Sequence, residues 1–168
     1  MASIGGSRAL NIAKALASLV PAALLAGAYA FQYLGGLHPC EMCYWQRWPH
    51  FAALAFGGAA YLLVRLPDRG RSFVWLAALA LLTSGGIGIW HAGVEAGVFS
   101  GVTTCASTGG GSSLQDIMSR PMIRCDEIQP PFPILGLSMA GWNAVISISA
   151  ALVIAWLSLK RRAPEMAA

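Results

Sequence analysis

Charged residues are scarce in this sequence. Only 11% of its 168 residues are Asp, Glu, Lys or Arg, whereas 57% are hydrophobic, and the mean hydropathy is +0.61. Ordinary soluble domains contain about 25% charged residues. A soluble fold of this length also has too little interior to bury so many apolar side chains. The scarcity of charge therefore excludes an ordinary soluble domain and favours an integral membrane protein.

The signatures of several cofactors are also lacking. The sequence contains no glycine-rich nucleotide-binding fingerprint, no haem-attachment motif and no cluster of cysteines and histidines at metal-ligand spacing. The net charge of +4 follows from the distribution of basic residues along a membrane protein, and it gives no reason to expect nucleic acid as a partner.

Four runs are apolar enough to cross a bilayer, which requires about 20 helical residues. They are residues 15–34, 44–64, 72–90 and 140–159. A backbone inside the membrane must satisfy its own hydrogen bonds, so each run predicts a helix. The surplus segment ILGLSM, residues 134–139, is predicted to lie along the membrane interface. We expect one all-α membrane domain, residues 1–168: a four-helix transmembrane bundle with loops at 35–43 and 91–133.

The basic residues predict the orientation of these helices. Eight of the eleven lie on one side of the membrane if the four helices alternate: Arg8, Lys14, Arg65, Arg69, Arg71, Lys160, Arg161 and Arg162. The positive-inside rule makes that side cytoplasmic, together with both termini. Alternatively, the N-terminal segment could be a signal peptide cleaved after AYA at Ala28–Ala30, although the apolar run continues beyond that point.

All four cysteines lie in the two loops opposite the basic residues. Cys40 and Cys43 form a close Cys-x-x-Cys pair, while Cys105 and Cys125 both belong to the long loop. This arrangement predicts disulfides in an oxidising compartment. A structural bridge closing the loop of about 20 residues between Cys105 and Cys125 could contribute about 3 kcal/mol. The flexible tract CASTGGGSS instead favours a movable, redox-active Cys105.

The Cys40–Cys43 spacing is typical of a thiol pair that opens and closes. A zinc site would need a second close pair or nearby histidines, and only His38 is near, so no metal site is predicted. Pro39 disfavours helix before Cys40, and the second span is therefore expected to start at about Cys43 or Tyr44.

Cys43 is thus predicted at a helix N-terminus, where the dipole and unpaired N–H groups stabilise a thiolate. Arg47 follows one turn later on the same face. An arginine inside the membrane needs a partner, so Arg47 is predicted to pair with the Cys43 thiolate or with a ligand oxygen beside it. The alternative is an arginine that snorkels to the interface. A lipid-soluble quinone is an electron acceptor available at this location.

Two sequence motifs carry a family resemblance: PCEMCYWQR at residues 39–47 and CDEIQPPFPILGLSMAGWNAV at residues 125–145. Together with the charge-poor four-span layout, they resemble the DsbB family of bacterial inner-membrane disulfide-bond formation proteins. The resemblance covers residues 14–160. It implies a multi-pass inner-membrane thiol:quinone oxidoreductase that re-oxidises a periplasmic thioredoxin-fold oxidase of the DsbA type. The implied electron acceptor is ubiquinone or menaquinone.

The resemblance also implies roles for individual residues. Cys40 and Cys43 match the pair that reduces the quinone, with Cys43 next to the ring. Cys105 matches the cysteine that the partner attacks, and Cys125 matches its disulfide partner. Quinone-binding residues are matched by Arg47 and His91. Gln46 stands where some members carry a carboxylate and is given no role; His50 is predicted only to pack.

Three other interpretations remain at this point. One is a non-catalytic membrane protein whose loops are held by disulfides. Another is a haem- or metal-binding membrane protein that uses His50, His91 and the thiols. The third is a quinone-linked enzyme of the vitamin K epoxide reductase type, which shares the Cys-x-x-Cys motif and the helical bundle.

Overall fold

The computed structural model describes residues 8–101, 124–128 and 136–159, and every regular element within these ranges is an α-helix. The helices are α1 (Arg8–Tyr33), α2 (Glu41–Leu62), α3 (Arg71–Glu95) and α4 (Met139–Leu159). The all-α prediction is confirmed for these residues. Cys105 and the first residues of the predicted interfacial segment lie outside them.

Three of the described helices, α1, α3 and α4, are long and apolar enough to cross a membrane. Helix α2 is less apolar because its first half carries Glu41, Gln46, Arg47 and His50. Its 22 residues at about 1.5 Å each give a length of about 33 Å. That length matches a hydrocarbon core of about 30 Å, so composition rather than length separates α2 from the other three.

Helix α3 extends further than the sequence predicted. The predicted span ends at Trp90, but the helix continues through Glu95. Gly97 then adopts a φ of +70°, a conformation that glycine reaches without steric cost. The backbone N–H of Val98 turns back to the carbonyl of Gly93 at 2.8 Å, which closes the helix end. His91 is consequently a helical residue rather than the first residue of a loop.

Small residues allow the helices to approach one another closely. Helix α3 packs against α2 and α4, and α1 packs against the same two helices. A Cβ atom added at Gly57 of α2 would lie 2.8 Å from the carbonyl oxygen of Ala17 in α1. One added at Gly88 of α3 would lie 2.9 Å from the carbonyl oxygen of Ala140 in α4. Such backbone approach is typical of helix packing in membranes.

The bundle has an apolar core at one end and large apolar side chains on its outside. The core residues come from all four helices: Leu10, Ala13, Ala17, Ala53, Ala60, Val74, Ala77, Ala78, Leu81, Ala151 and Ile154. Outward-facing side chains such as Leu19, Leu79 and Leu152 are each at least 60% exposed. An apolar exterior of this kind requires a lipid environment or a partner surface.

The basic α2–α3 link lies at the opposite end of the bundle from Cys40. Asp68 in this link accepts hydrogen bonds from the backbone N–H groups of Gly70 (3.0 Å) and Ser72 (2.8 Å), which fixes the start of α3. Lys14 of α1 lies at the same end, with its ammonium 5.8 Å from the centre of the Tyr61 ring. Two clusters of the basic residues used to predict orientation therefore meet at one end.

Candidate active site

The Cys-x-x-Cys pair forms the beginning of α2. Pro39 precedes Cys40, and Cys40 is extended (φ −75°, ψ 173°) and caps the helix. Its sulfur accepts a hydrogen bond from the Cys43 backbone N–H at 3.3 Å. The helix thus begins at Glu41, slightly earlier than predicted, and Cys43 lies in its first turn. Unpaired N–H groups and the helix dipole favour negative charge at this position.

The two thiols of this pair are in direct contact. The sulfur atoms of Cys40 and Cys43 are 2.9 Å apart, longer than a disulfide bond of about 2.05 Å. The hydrogen bond to Cys43 raises the pKa of the Cys40 thiol, and burial raises this pKa further. A proton held on Cys40 can be shared with the Cys43 sulfur, whose position in the first turn of α2 favours a thiolate.

His91, in the last turns of α3, lies beside the cysteine pair. Its Nε2 atom is 3.5 Å from the Cys40 sulfur and 3.7 Å from the Oε1 atom of Glu95. Its Nδ1 atom is 2.8 Å from the side-chain nitrogen of Gln46. Gln46, for which no role was predicted, therefore orients the imidazole ring.

Cys125 lies close to this group although it comes from the distant long loop. It is buried, and its sulfur, the Cys40 sulfur and a ring nitrogen of His91 all lie within 4.8 Å of one another. The structure thus brings three of the four predicted catalytic cysteines together at one end of the bundle. Cys105 lies outside the described residues.

Arg47 is buried inside the bundle, with only 7% of its surface exposed. One guanidinium nitrogen donates a hydrogen bond to the side-chain oxygen of Gln32 at 2.6 Å. The guanidinium carbon also lies 4.8 Å and 5.1 Å from the ring centres of Tyr29 and Tyr44. These contacts hold the charge between α1 and α2, whereas a snorkelling side chain would extend to the interface.

A hydrogen-bonded network lies deeper in the bundle, below His91. The Asn143 side-chain nitrogen donates to the Gln46 side-chain oxygen at 2.7 Å. The Asn143 oxygen accepts from His50 at 2.8 Å and from Ser147 at 3.0 Å. Ser84 is 3.0 Å from His50 and donates to the Gln46 carbonyl at 2.9 Å. His50, predicted only to pack, is a member of this network.

The cysteines and the network border a cavity of about 400 Å³. All four helices contribute to its walls, and most of the lining is apolar. Its polar lining includes Arg47, His91, Asn143 and Glu95. Neither Asn143 nor Glu95 was predicted from the sequence to be a site residue. Both are polar residues in or beside an apolar run, and this feature could have been used to predict them, because polar residues in membrane helices are commonly functional.

The donor set Cys40, His91 and Cys125 could also hold a metal ion by atom type and distance. Protein zinc sites usually have four ligands drawn from cysteine, histidine and carboxylate groups. The absence of a metal, predicted from the sequence, remains a prediction.

Together, the helical bundle and the buried thiols define a membrane protein with a dithiol site next to an apolar cavity. Residues 10–157 match the family model described as disulfide bond formation protein DsbB. The chain belongs to the DsbB family, as the resemblance in its sequence predicted. Membership implies an oxidoreductase for disulfide-bond formation coupled to quinone.

A curated relative is similar to most of the chain. It is a protein of Rickettsia prowazekii (strain Madrid E) named uncharacterized protein RP370. It is 27% identical over 131 residues, which cover 74% of this chain and 73% of the relative. No solved structure is significantly similar to this chain.

Proposed function

We propose that this protein re-oxidises a periplasmic thioredoxin-fold dithiol oxidase of the DsbA type and transfers the two electrons to a membrane quinone. The observation that carries this proposal is the position of Cys40. Its sulfur contacts Cys43 at 2.9 Å and lies within 4.8 Å of Cys125. Cys40 can therefore exchange with a cysteine of the long loop and also form a disulfide with Cys43.

The proposed route starts at a Cys105–Cys125 disulfide. A thiolate of the partner attacks Cys105, and completion of that exchange oxidises the partner and leaves both loop cysteines reduced. The Cys125 thiolate then attacks Cys40 of the Cys40–Cys43 disulfide, which releases Cys43 as a thiolate and leaves a Cys40–Cys125 disulfide. Cys105 then attacks Cys125, which restores the Cys105–Cys125 disulfide and frees Cys40, so that the reduced Cys40–Cys43 pair can transfer two electrons to the quinone. Thiolate attack through mixed disulfides is the general mechanism of such exchange. The N-terminus of α2 stabilises the Cys43 thiolate.

The cavity has the features that a quinone head group requires. A quinone supplies a two-electron acceptor whose reduction also consumes two protons. The cavity volume of about 400 Å³ falls within the usual range of small-molecule sites. Apolar walls from α1 and α4 suit the ring, while Arg47 can donate a hydrogen bond to one of its oxygens and His91 lines the same cavity. Ala23 and Ile146 line the cavity and are also exposed on the outside of the bundle, which supports access from the lipid.

The orientation in the membrane follows from the separation of charge and thiols. We propose four spans, including α2, in a single membrane domain in the bacterial inner membrane. The basic α2–α3 link and both termini would face the cytoplasm, as the positive-inside rule predicts. The cysteines would then face the oxidising periplasm, where disulfides persist.

The experiment that tests this function measures quinone reduction by the purified protein supplied with a reduced DsbA-type oxidase. We expect one quinol for each partner disulfide formed, with a short-chain ubiquinone as acceptor. A Cys105→Ser variant serves as control, because it should block entry of electrons from the partner. Partner oxidation without quinol formation, or no reaction at all, would contradict the proposal.

Metal binding is a second candidate, favoured by the proximity of Cys40, His91 and Cys125. Elemental analysis of the reduced, purified protein distinguishes the two functions. One metal ion per chain that is lost in a Cys125→Ser variant would support the metal site. A metal-free protein that turns over quinone supports the oxidoreductase.

A further inference from the structure

Glu95 is a buried acidic residue that the electron route does not use. Its side chain is only 7% exposed, and its Oε1 atom lies 3.7 Å from Nε2 of His91. Its other oxygen, Oε2, has no hydrogen-bond partner within the part of the chain that the structure describes. Glu95 also lines the cavity shared with Cys40 and Cys43. A buried polar atom without a partner is costly, so this oxygen calls for a ligand, a water molecule or a proton.

The hydrogen bonds around His91 determine which of its nitrogens carries the proton. The Gln46 side-chain oxygen accepts from Asn143, so the Gln46 nitrogen donates to Nδ1 of His91. Nδ1 is therefore the acceptor of the neutral ring, and Nε2 carries the hydrogen. That hydrogen faces both the Cys40 sulfur and the Glu95 carboxylate. His91 in this form is a donor that positions both groups and is not a base for the thiol.

The remaining ionisable groups of the cavity also point to Glu95 as the proton acceptor. Besides the cysteines and Glu95, the titratable or charged residues that line it are His38, Arg47, His50, His91, Arg124 and Glu127. The arginines remain protonated, and both His38 and Glu127 are exposed. His50 is held in the deeper network by Asn143 and Ser84. Glu95 is thus the buried carboxylate of the described cavity lining.

We propose that Glu95 is the acid–base residue of this site, carrying a proton from the thiol pair to the reduced acceptor. This inference rests on the proposed function. Oxidation of the Cys40 thiol and the Cys43 thiolate breaks one S–H bond, forms one S–S bond and releases two electrons and one proton. Quinone reduction consumes two electrons and two protons. Glu95 accepts the proton of Cys40 as a carboxylate and donates it to a quinone oxygen as the acid, while the second proton comes from solvent.

The first test needs no quinone. The Cys40–Cys43 disulfide of quinone-free protein is reduced with dithiothreitol, and the infrared difference spectrum is recorded in the carboxyl region. We expect a carboxyl band that changes on reduction, is lost in Glu95→Gln and is shifted but retained in Glu95→Asp. The control Glu41→Gln, which changes the glutamate that begins α2, should leave the band intact. A band that is unchanged in Glu95→Gln would overturn the proposal.

Turnover supplies the second readout. A residue that only packs would affect folding, whereas loss of acid–base catalysis typically costs about 10²–10⁴-fold in rate. We expect Glu95→Gln to lower kcat by that order with a smaller change in the KM for quinone, and Glu95→Asp to recover part of the rate. Equal kcat in Glu95→Gln and wild type would contradict the role of Glu95. Failure of wild-type protein to reduce quinone would instead contradict the proposed function, since the infrared result does not depend on turnover.

Discussion

The two halves of this bundle have opposite interiors although the same four helices form both. Near the basic link, the interior is mostly apolar, with alanines and larger residues such as Leu10, Val74, Leu81 and Ile154, although Lys14 and Ser158 are also buried there. Near the cysteines, it contains a buried arginine, two buried histidines and a hydrogen-bonded network. Polar side chains inside a membrane are expensive and usually functional. The contrast indicates that one half stabilises the fold and the other performs chemistry.

The polar half is tolerated because its groups satisfy one another. Asn143 donates to Gln46 and accepts from His50 and Ser147. These bonds link α2 to α4, and Gln46 in turn contacts His91 of α3. Linked hydrogen bonds of this kind strengthen one another and hold their groups in place. The network therefore supports the orientation of the ring that faces Cys40.

The largest expected effect follows from removing the thiolate beside the cavity. Cys43→Ser should abolish quinone reduction, because a hydroxyl at the start of α2 cannot form the disulfide with Cys40. Stopped-flow absorbance of the quinone measures this directly. The matched control is Cys105→Ser, in which the Cys40–Cys43 disulfide should still form. Quinone turnover by the Cys43→Ser protein at the wild-type rate would refute the route.

A pair of substitutions tests the contrast between the two halves. Leu81→Ala removes a fully buried side chain from the apolar core and should lower the free energy of unfolding by about 2–5 kcal/mol. Turnover per folded molecule should be unchanged. Asn143→Ala should cost less stability, since hydrogen bonds between membrane helices average about 0.6 kcal/mol each, yet it should slow quinone reduction. Unfolding in mixed micelles and steady-state kinetics provide the two measurements.

The reverse pattern in these two variants would contradict the division of roles. A slow but stable Leu81→Ala protein would mean that the apolar half also shapes the catalytic site. An unstable Asn143→Ala protein with normal turnover would make the network purely structural.

A smaller effect is expected from Arg47, whose guanidinium lines the cavity. Arg47→Met should raise the KM for quinone roughly tenfold to a hundredfold, because a hydrogen bond to a charged group contributes about 1.5–3 kcal/mol. Exchange at the long loop should continue. Arg65→Met, which changes an arginine of the α2–α3 link, serves as control. An unchanged KM over a series of quinones would show that Arg47 does not bind the quinone and serves only a structural role, in contact with Gln32 and Tyr29.

The smallest expected effect is a change in stability at the end of the bundle that carries the basic α2–α3 link. Hydrogen bonds from Ser72 hold the pKa of Asp68 below its usual value. A depressed pKa means that the carboxylate stabilises the fold at neutral pH, and that this contribution is lost as the pH falls through the folded-state pKa. Asp68→Ala should cost about 0.5–1 kcal/mol at pH 7, since the group is only partly buried and is screened by solvent. The difference from wild type, followed by unfolding in micelles, should shrink towards acid pH, and a difference that grows would contradict this assignment.

Much of the helical layout could be predicted from the sequence, because apolar runs of membrane length carry a strong signal. The Cys-x-x-Cys pair at a helix start was also predictable, from Pro39 and the spacing. The extension of α3 through Glu95 was not, because its last turn is mixed in polarity and ends only at Gly97. The contacts of Gln46 and Asn143 depend on how the helices are rotated against one another, which no local pattern specifies.

The proximity of Cys125 to Cys40 could not be predicted from local sequence patterns either, because 85 positions separate the two residues. The proposed electron route depends on this contact. Disulfide mapping by mass spectrometry tests it most directly. Wild-type protein is mixed with a reduced DsbA-type partner that keeps only its attacking cysteine and therefore stays bonded to Cys105; the mixture is quenched in acid and digested without reduction. Cys125, which then cannot re-pair with Cys105, should attack the Cys40–Cys43 disulfide, and we expect a peptide pair joined through Cys40 and Cys125 that is absent from a Cys125→Ser control. If Cys40 is never found linked to Cys125, the two cysteine pairs do not exchange electrons by this route and the central claim is wrong.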